Sequence, residues 1–126
     1  MRMLSPEYQH KNQKRNLFQL FTDDIKQVNF YEAKKGAILG NHYHKETKEY
    51  FYITRGTVLL KTNQGKELAQ RIVNKGEFFL VEPLENHIVE VLSPDMTMLT
   101  FLSKPYTKEN PDIHIYKGEK DAKKTD

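Results

Sequence analysis

The sequence predicts an all-β fold, an antiparallel sandwich or barrel of many short strands. Three observations carry this expectation. Short runs rich in Val, Ile, Leu, Phe and Tyr recur along the chain. Turn signals separate them: Lys35-Gly36, Arg55-Gly56, Asn63-Gln64-Gly65 and Lys75-Gly76 each supply a residue suited to a tight reversal. No stretch sustains the i, i+3, i+4 apolar stripe of an amphipathic helix.

Taken in order, the first fifteen residues, MRMLSPEYQHKNQKR, are polar and without clear period. They are expected to be disordered or to form an arm that orders against a partner subunit, and 6–20 has room for a turn or two of helix. Strands are predicted over 16–21, 26–33, 37–43, 49–55, 57–62, 69–73, 77–81, 87–92 and 97–103. Gly36 and Gly56 stand where turns call for positive φ. The last ten residues, KGEKDAKKTD, read as a disordered charged tail. The expected organisation is therefore an arm at 1–15, one β-barrel domain at 16–116 and a tail at 117–126, with no linker or repeat.

Composition narrows the chemistry. Cysteine is absent, which excludes disulfides, thiolate metal sites and Cys nucleophiles, so a transition-metal site would have to use imidazole and carboxylate. The net charge of +3 comes largely from Lys11, Lys14 and Arg15 near one end and Lys117, Lys120, Lys123 and Lys124 near the other. Those runs lack interleaved aromatic platforms, so no nucleic-acid partner is expected. No apolar run approaches the roughly 20 residues that span a bilayer, and no apolar leader segment opens the chain. A soluble, cytoplasmic protein without a membrane partner is the expectation. Neither a G-x-S-x-G elbow nor a glycine-rich phosphate loop is present.

The chemistry-bearing constellation starts at His42-Tyr43-His44. Side chains two apart on a strand share a face, so His42 and His44 would aim inward together while Tyr43 points away. Glu49 opens the next strand after a short connection, and a hairpin would return it beside the pair. His87 opens a later strand, just after Pro83-Leu84-Glu85-Asn86, and in a closed barrel could add a third imidazole. Three imidazoles and a carboxylate suit a divalent ion. The plainer alternatives are partly exposed strand residues for His42 and His44, a turn or core residue for His87, and Glu46 in place of Glu49. His10 and His114 have no comparable setting and read as surface residues. Tyr50, Phe51 and Tyr52 read as barrel packing, and Lys61, Arg71 and Met98 as candidates for the cavity wall.

Gly36, five residues, His42-Tyr43-His44, four residues, Glu49, six residues and Gly56 reproduce the first cupin motif, G(X)5HXH(X)3-4E(X)6G, at every fixed position. The segment 76–91 is similar to the second motif, G(X)5PXG(X)2H(X)3N, more loosely: Gly76, Pro83 and His87 are present, while Leu84 takes the usual glycine position and Val91 that of the asparagine. The resemblance covers roughly residues 26–103. It implies a double-stranded β-helix, or jelly-roll, barrel with a metal bound by His42, His44, Glu49 and His87. The expected cofactor is a divalent ion, Fe, Mn, Zn or Ni, in a metal-dependent enzyme acting on a small polar molecule.

Two other functions follow from the same resemblance. Gly40-Asn41-His42-Tyr43-His44-Lys45, together with the stretch from Pro105 to Asp112, is similar to cupins of bacterial surface-polysaccharide pathways. In epimerase and ketoisomerase members of that group, histidines act as acid and base without requiring a metal. His42 or His44 would then abstract a proton beside the carbonyl of a nucleotide sugar, and Lys61, Arg71 or Arg55 would meet its diphosphate. The third function is a non-catalytic module binding a sugar or another small ligand. Cupin barrels expose sheet edges and apolar outer faces, so a homodimer is expected.

Overall fold

The computed structural model describes residues 1–116, and in these every regular element is a strand. In chain order they are β1 (Arg2–Leu4), β2 (Tyr8–Lys11), β3 (Asn16–Gln19), β4 (Gln27–Lys34), β5 (Ile38–Tyr43), β6 (Glu49–Arg55), β7 (Thr57–Gln64), β8 (Glu67–Asn74), β9 (Phe78–Val81), β10 (Asn86–Val91), β11 (Asp95–Leu102) and β12 (His114–Ile115). One five-stranded sheet has the order β1-β9-β6-β11-β4 and the other β12-β5-β10-β7-β8. All pairings are antiparallel. The two sheets face each other as a jelly-roll barrel.

Alternation along each strand builds the core between them. In β6 the side chains of Phe51 and Ile53 point inward and are buried, while Tyr50 and Tyr52 lie on the outer face. Phe51 stands opposite Phe79 of β9, and their rings stack with centroids 4.8 Å apart. Val58 and Leu60 of β7, Val89 and Val91 of β10, and Met96 and Met98 of β11 complete the centre. Each such side chain contributes about 1.5–3 kcal/mol through burial. Gly36 and Gly56 take φ of +91° and +89°, as the turns require.

The structure departs from the sequence reading at both ends. Residues 6–20 hold no helical turn: β2 and β3 pair as an exposed hairpin between Tyr8–Lys11 and Asn16–Gln19. β3 falls within the strand expected over 16–21, whereas the exposed, mostly polar residues of β2 give no period-two pattern. Arg2–Leu4, inside the expected arm, pairs with β9 and extends the barrel sheet, and Met1 and Met3 pack on its core. The chain then returns over the outer face, where Phe21 stacks on Tyr50 with ring centroids 4.0 Å apart. At the other end, β12 adds a short strand to the edge of β5. The expected tail at 117–126 lies outside the described residues.

Candidate functional site

A bulge in β5 decides which side chains enter the barrel. Leu39 pairs with Val89, Gly40 with Ile88, and then His42 with His87, so Asn41 is an extra residue in β5. Gly40 and Asn41 both take positive φ, +93° and +70°. Without this bulge, Ala37 and Leu39, which pack on the core, would be followed inward by Asn41 and Tyr43. The added residue reverses the parity, and His42 follows Leu39 onto the inner face. Gly40 is required twice over: a Cβ there would lie 2.7 Å from the backbone oxygen of His87. The buried Asn86 amide donates to Asn41 Oδ1 at 3.3 Å and Asn63 Oδ1 at 3.0 Å, which pins the bulge from the opposite face.

The tertiary fold brings His42, His44, Glu49 and His87 together, with one potential ligand atom from each lying within 4.8 Å of the others. His44, Glu49 and His87 are buried, and His42 is half-buried. His42 sits edge-on to both neighbours, with ring centroids 5.3 Å from His44 and 4.6 Å from His87. His44 Nε2 lies 3.0 Å from Glu49 Oε1, and His87 Nε2 lies 3.6 Å from the same oxygen. His42, Glu49 and His87 open onto a cavity of about 110 Å³, whose walls include Tyr31, Phe51 and Met98. At roughly 30 Å³ per water, this space holds the reacting end of a molecule rather than a whole nucleotide.

The His44 ring is oriented from behind. Its Nδ1–H donates to the backbone carbonyl of Asp112 at 2.8 Å, and a carbonyl can only accept. The other nitrogen, Nε2, therefore faces Glu49. A neutral ring in this tautomer would aim a lone pair at a carboxylate oxygen, so the contact calls for a positive charge between them, either a second proton or a metal ion. Donors at about 2.0–2.2 Å from one ion lie at most about 4.4 Å apart, and a shift of tenths of an ångström brings the four atoms into that range. The donor set thus fits a divalent ion.

The imidazoles do not share one protonation behaviour. Burial and the neighbouring charge of His44 push His42 below the ordinary histidine range, against the pull of Glu49. Burial drives His87 down to about 3. For His44 burial acts in the same direction, but the hydrogen bond and charge of Glu49 and the Asp112 carbonyl outweigh it and raise the ring. Burial and the charge of Glu49 also raise the Tyr31 phenol.

Of the remaining candidates, Glu46 points to solvent and pairs with Lys104 at 3.1 Å, leaving Glu49 as the carboxylate of the cluster. Met98 lines the cavity, whereas Lys61 faces a separate depression on the outer side of β7. Arg71 pairs with Glu77 at 3.6 Å on the surface. Arg55 ends β6 at the opposite end from Glu49, about 20 Å away along the strand. None of these three cations faces the histidines, because each lies on an outer face or at the far rim. Asp112 and Tyr31 join the site beyond the residues expected from the sequence. Tyr31 is signalled by alternation in β4, whereas Asp112 lies beyond the last long strand with no periodic signal.

No curated protein matches the chain. Two 3,4-ketoisomerases, one of them a sugar 3,4-ketoisomerase by name, share the fold over nearly their whole length. The one from Helicobacter canadensis has a TM-score of 0.82 at 18% identity, covering 98% of this chain and 96% of that one. The one from Thermoanaerobacterium thermosaccharolyticum, solved with TDP, has a TM-score of 0.79 at 18% identity, covering 98% and 94%. The capsular polysaccharide assembling protein CapF of Staphylococcus aureus matches with a TM-score of 0.69 at 21% identity over 86% of this chain. This chain spans only 33% of CapF. The cupin domain family matches residues 29–102, from within β4 to the end of β11, the span that supplies all four clustered side chains and the core around them. The chain belongs to the cupin family.

Proposed function

We propose that the protein is an isomerase or epimerase of a nucleotide-linked keto sugar, with the chemistry carried by His42 and His44. The observation that carries this reading is the half-buried His42 imidazole opening onto a small cavity beside His44, which Glu49 and the Asp112 carbonyl hold in one orientation. Neighbouring imidazoles displaced in opposite directions suit an acid–base pair. Neutral His42 takes the proton from the carbon next to the sugar carbonyl, and the electron pair moves onto the carbonyl oxygen. His44, protonated against Glu49, gives its proton to that oxygen to form the enediol. His42 then returns its proton to the former carbonyl carbon, while the neighbouring hydroxyl becomes the new carbonyl and yields its proton back to His44. The fold likeness to the 3,4-ketoisomerases supports this substrate class.

The donor geometry also favours a metal-assisted form of the same reaction. His42, His44, Glu49 and His87 would hold the ion, and a bound divalent cation supplies Lewis-acid polarisation of the carbonyl. The test is solvent-deuterium wash-in, followed by NMR, on TDP- and UDP-linked 4-keto sugars. Elemental analysis of protein purified without chelator accompanies it. We expect deuterium next to the carbonyl with wild type and none with His42→Ala. Stoichiometric metal lost in a His42→Ala/His44→Ala double variant would assign the metal-assisted form. No wash-in on any of these sugars, with or without added zinc, would overturn the proposal in favour of a ligand-binding cupin.

The active unit is proposed to be a homodimer. Val28 and Phe30, 54% and 59% exposed on the outer face of β4, support this, as does the projecting β2–β3 hairpin.

A further inference from the structure

We infer that Asp112 is the positioning residue of the histidine site, holding the His44 ring so that its Nε2 is the working atom. The inference rests on the proposed use of His44 and identifies what holds that residue in place.

Asp112 lies just before β12 and is buried, 9% exposed. Its backbone is in the left-handed region at φ +49°, which aspartate and asparagine enter more readily than other non-glycine residues but which still gains from being held. The surroundings here hold it from several sides. Its carbonyl receives the His44 Nδ1–H at 2.8 Å. Its carboxylate receives the Lys45 N–H at 2.8 Å, the Glu46 N–H at 3.0 Å and the Thr47 hydroxyl at 2.7 Å. The His114 ring adds a contact at 3.2 Å. One residue thus grips both the imidazole and the 45–47 connection that leads to Glu49. The left-handed turn is what lets its carbonyl and its carboxylate face the same loop.

Among the described residues, the Asp112 carbonyl is the hydrogen-bond partner of His44 Nδ1 and so fixes that nitrogen as the rear one. With the Asp112 carbonyl withdrawn, either nitrogen could carry the single proton of the neutral ring. Part of the population would then carry its single proton on Nε2 and lack the Nδ1–H that anchors the ring, so the ring would lose its rear support.

The test uses the full chain with Asp112→Ala and Asp112→Asn, and with Lys108→Ala on the exposed part of the same loop as control. Three readouts apply: the His44 tautomer from long-range ¹H–¹⁵N NMR, affinity for zinc, and kcat and KM in the deuterium assay. For Asp112→Ala we expect mixed tautomers, zinc affinity down about 10–100-fold, and kcat down by a similar factor with KM within about twofold. Asp112→Asn should lose less, because asparagine tolerates the backbone conformation and keeps one side-chain acceptor. Lys108→Ala should match wild type.

A lower thermal midpoint for Asp112→Ala, with His44 still a single Nδ1–H tautomer and zinc affinity within twofold of wild type, would overturn the inference and leave Asp112 a structural staple. Should Asp112→Ala fail to fold, Asp112→Asn decides by the same criteria. If wild type takes up no zinc, the hydrogen-bonded Nδ1–H resonance of His44 decides. It is present in wild type and weakened in Asp112→Ala if the inference holds, and unchanged in the variant if it does not. Absence of wash-in with wild type, with the tautomer shift intact, would sink the proposed function while leaving the positioning role standing.

Discussion

Two glycines separate backbone conformation from crowding in a single comparison. Gly36 and Gly40 have nearly equal φ, +91° and +93°, but a Cβ on Gly36 meets nothing within 4 Å, while one on Gly40 lies 2.7 Å from the His87 carbonyl oxygen. An L-residue in the left-handed region costs about 1–2 kcal/mol, so Gly36→Ala should cost that and no more. At Gly40 the obstacle is backbone of the paired strand, which cannot swing aside, and overpacking of this kind adds about 1–3 kcal/mol. Gly40→Ala is therefore expected to cost about 2–5 kcal/mol in total. With a urea dependence of about 1–3 kcal/mol/M, its unfolding midpoint should fall by about 1 M more than that of Gly36→Ala. Relief by undoing the bulge would turn His42 and His44 away from the cavity, so Gly40→Ala should also lose zinc binding and deuterium exchange, and Gly36→Ala should keep both. Equal urea midpoints for the two variants, or an unchanged site in Gly40→Ala, would refute the assignment of the bulge as the device that faces the histidines inward.

Other expectations follow from single residues. Leu84 sits at φ +72° and is exposed, while its N–H donates to the His44 carbonyl at 2.6 Å, a bond glycine would keep. Leu84→Gly should stabilise the protein by about 0.5–1 kcal/mol in urea unfolding, and a loss of stability would contradict the strain argument. Burial alone would raise the Asp112 carboxyl, but its hydrogen bonds from Thr47, Lys45 and Glu46 hold it at about 2, below the ordinary 3.8. Its contribution is therefore complete above pH about 4 and fades as pH falls through about 2, losing on the order of 1 kcal/mol between pH 5 and pH 3. The stability gap between wild type and Asp112→Asn should narrow over that interval, and a constant gap would exclude the linkage. Light scattering at micromolar concentration should give a dimer mass, reduced to a monomer by Val28→Glu/Phe30→Glu, whereas a monomeric wild type would end the dimer proposal.

Much of the barrel could be read from the chain because its signals are local. Phe51 and Ile53 alternate with Tyr50 and Tyr52, and the turn glycines bracket the strands, so strand existence and inward faces follow from neighbours in sequence. The exact spacing of Gly36, His42, His44, Glu49 and Gly56 marks the family for the same reason. Alternation within β2 carries no such signal, since both of its faces meet solvent, whereas β3 lies inside the strand expected over 16–21.

What the sequence by itself determined is the all-β class, the positions of the central strands along the chain and the set of side chains able to meet as His42, His44, Glu49 and His87. Only the tertiary structure decided how they meet. The extra residue at Asn41 reverses the parity of β5 through a contact with His87, 46 positions away in the chain. The His44 tautomer depends on a carbonyl at Asp112, 68 positions away. Both are geometric relations between segments that touch only after folding, so no local pattern of residue types encodes them.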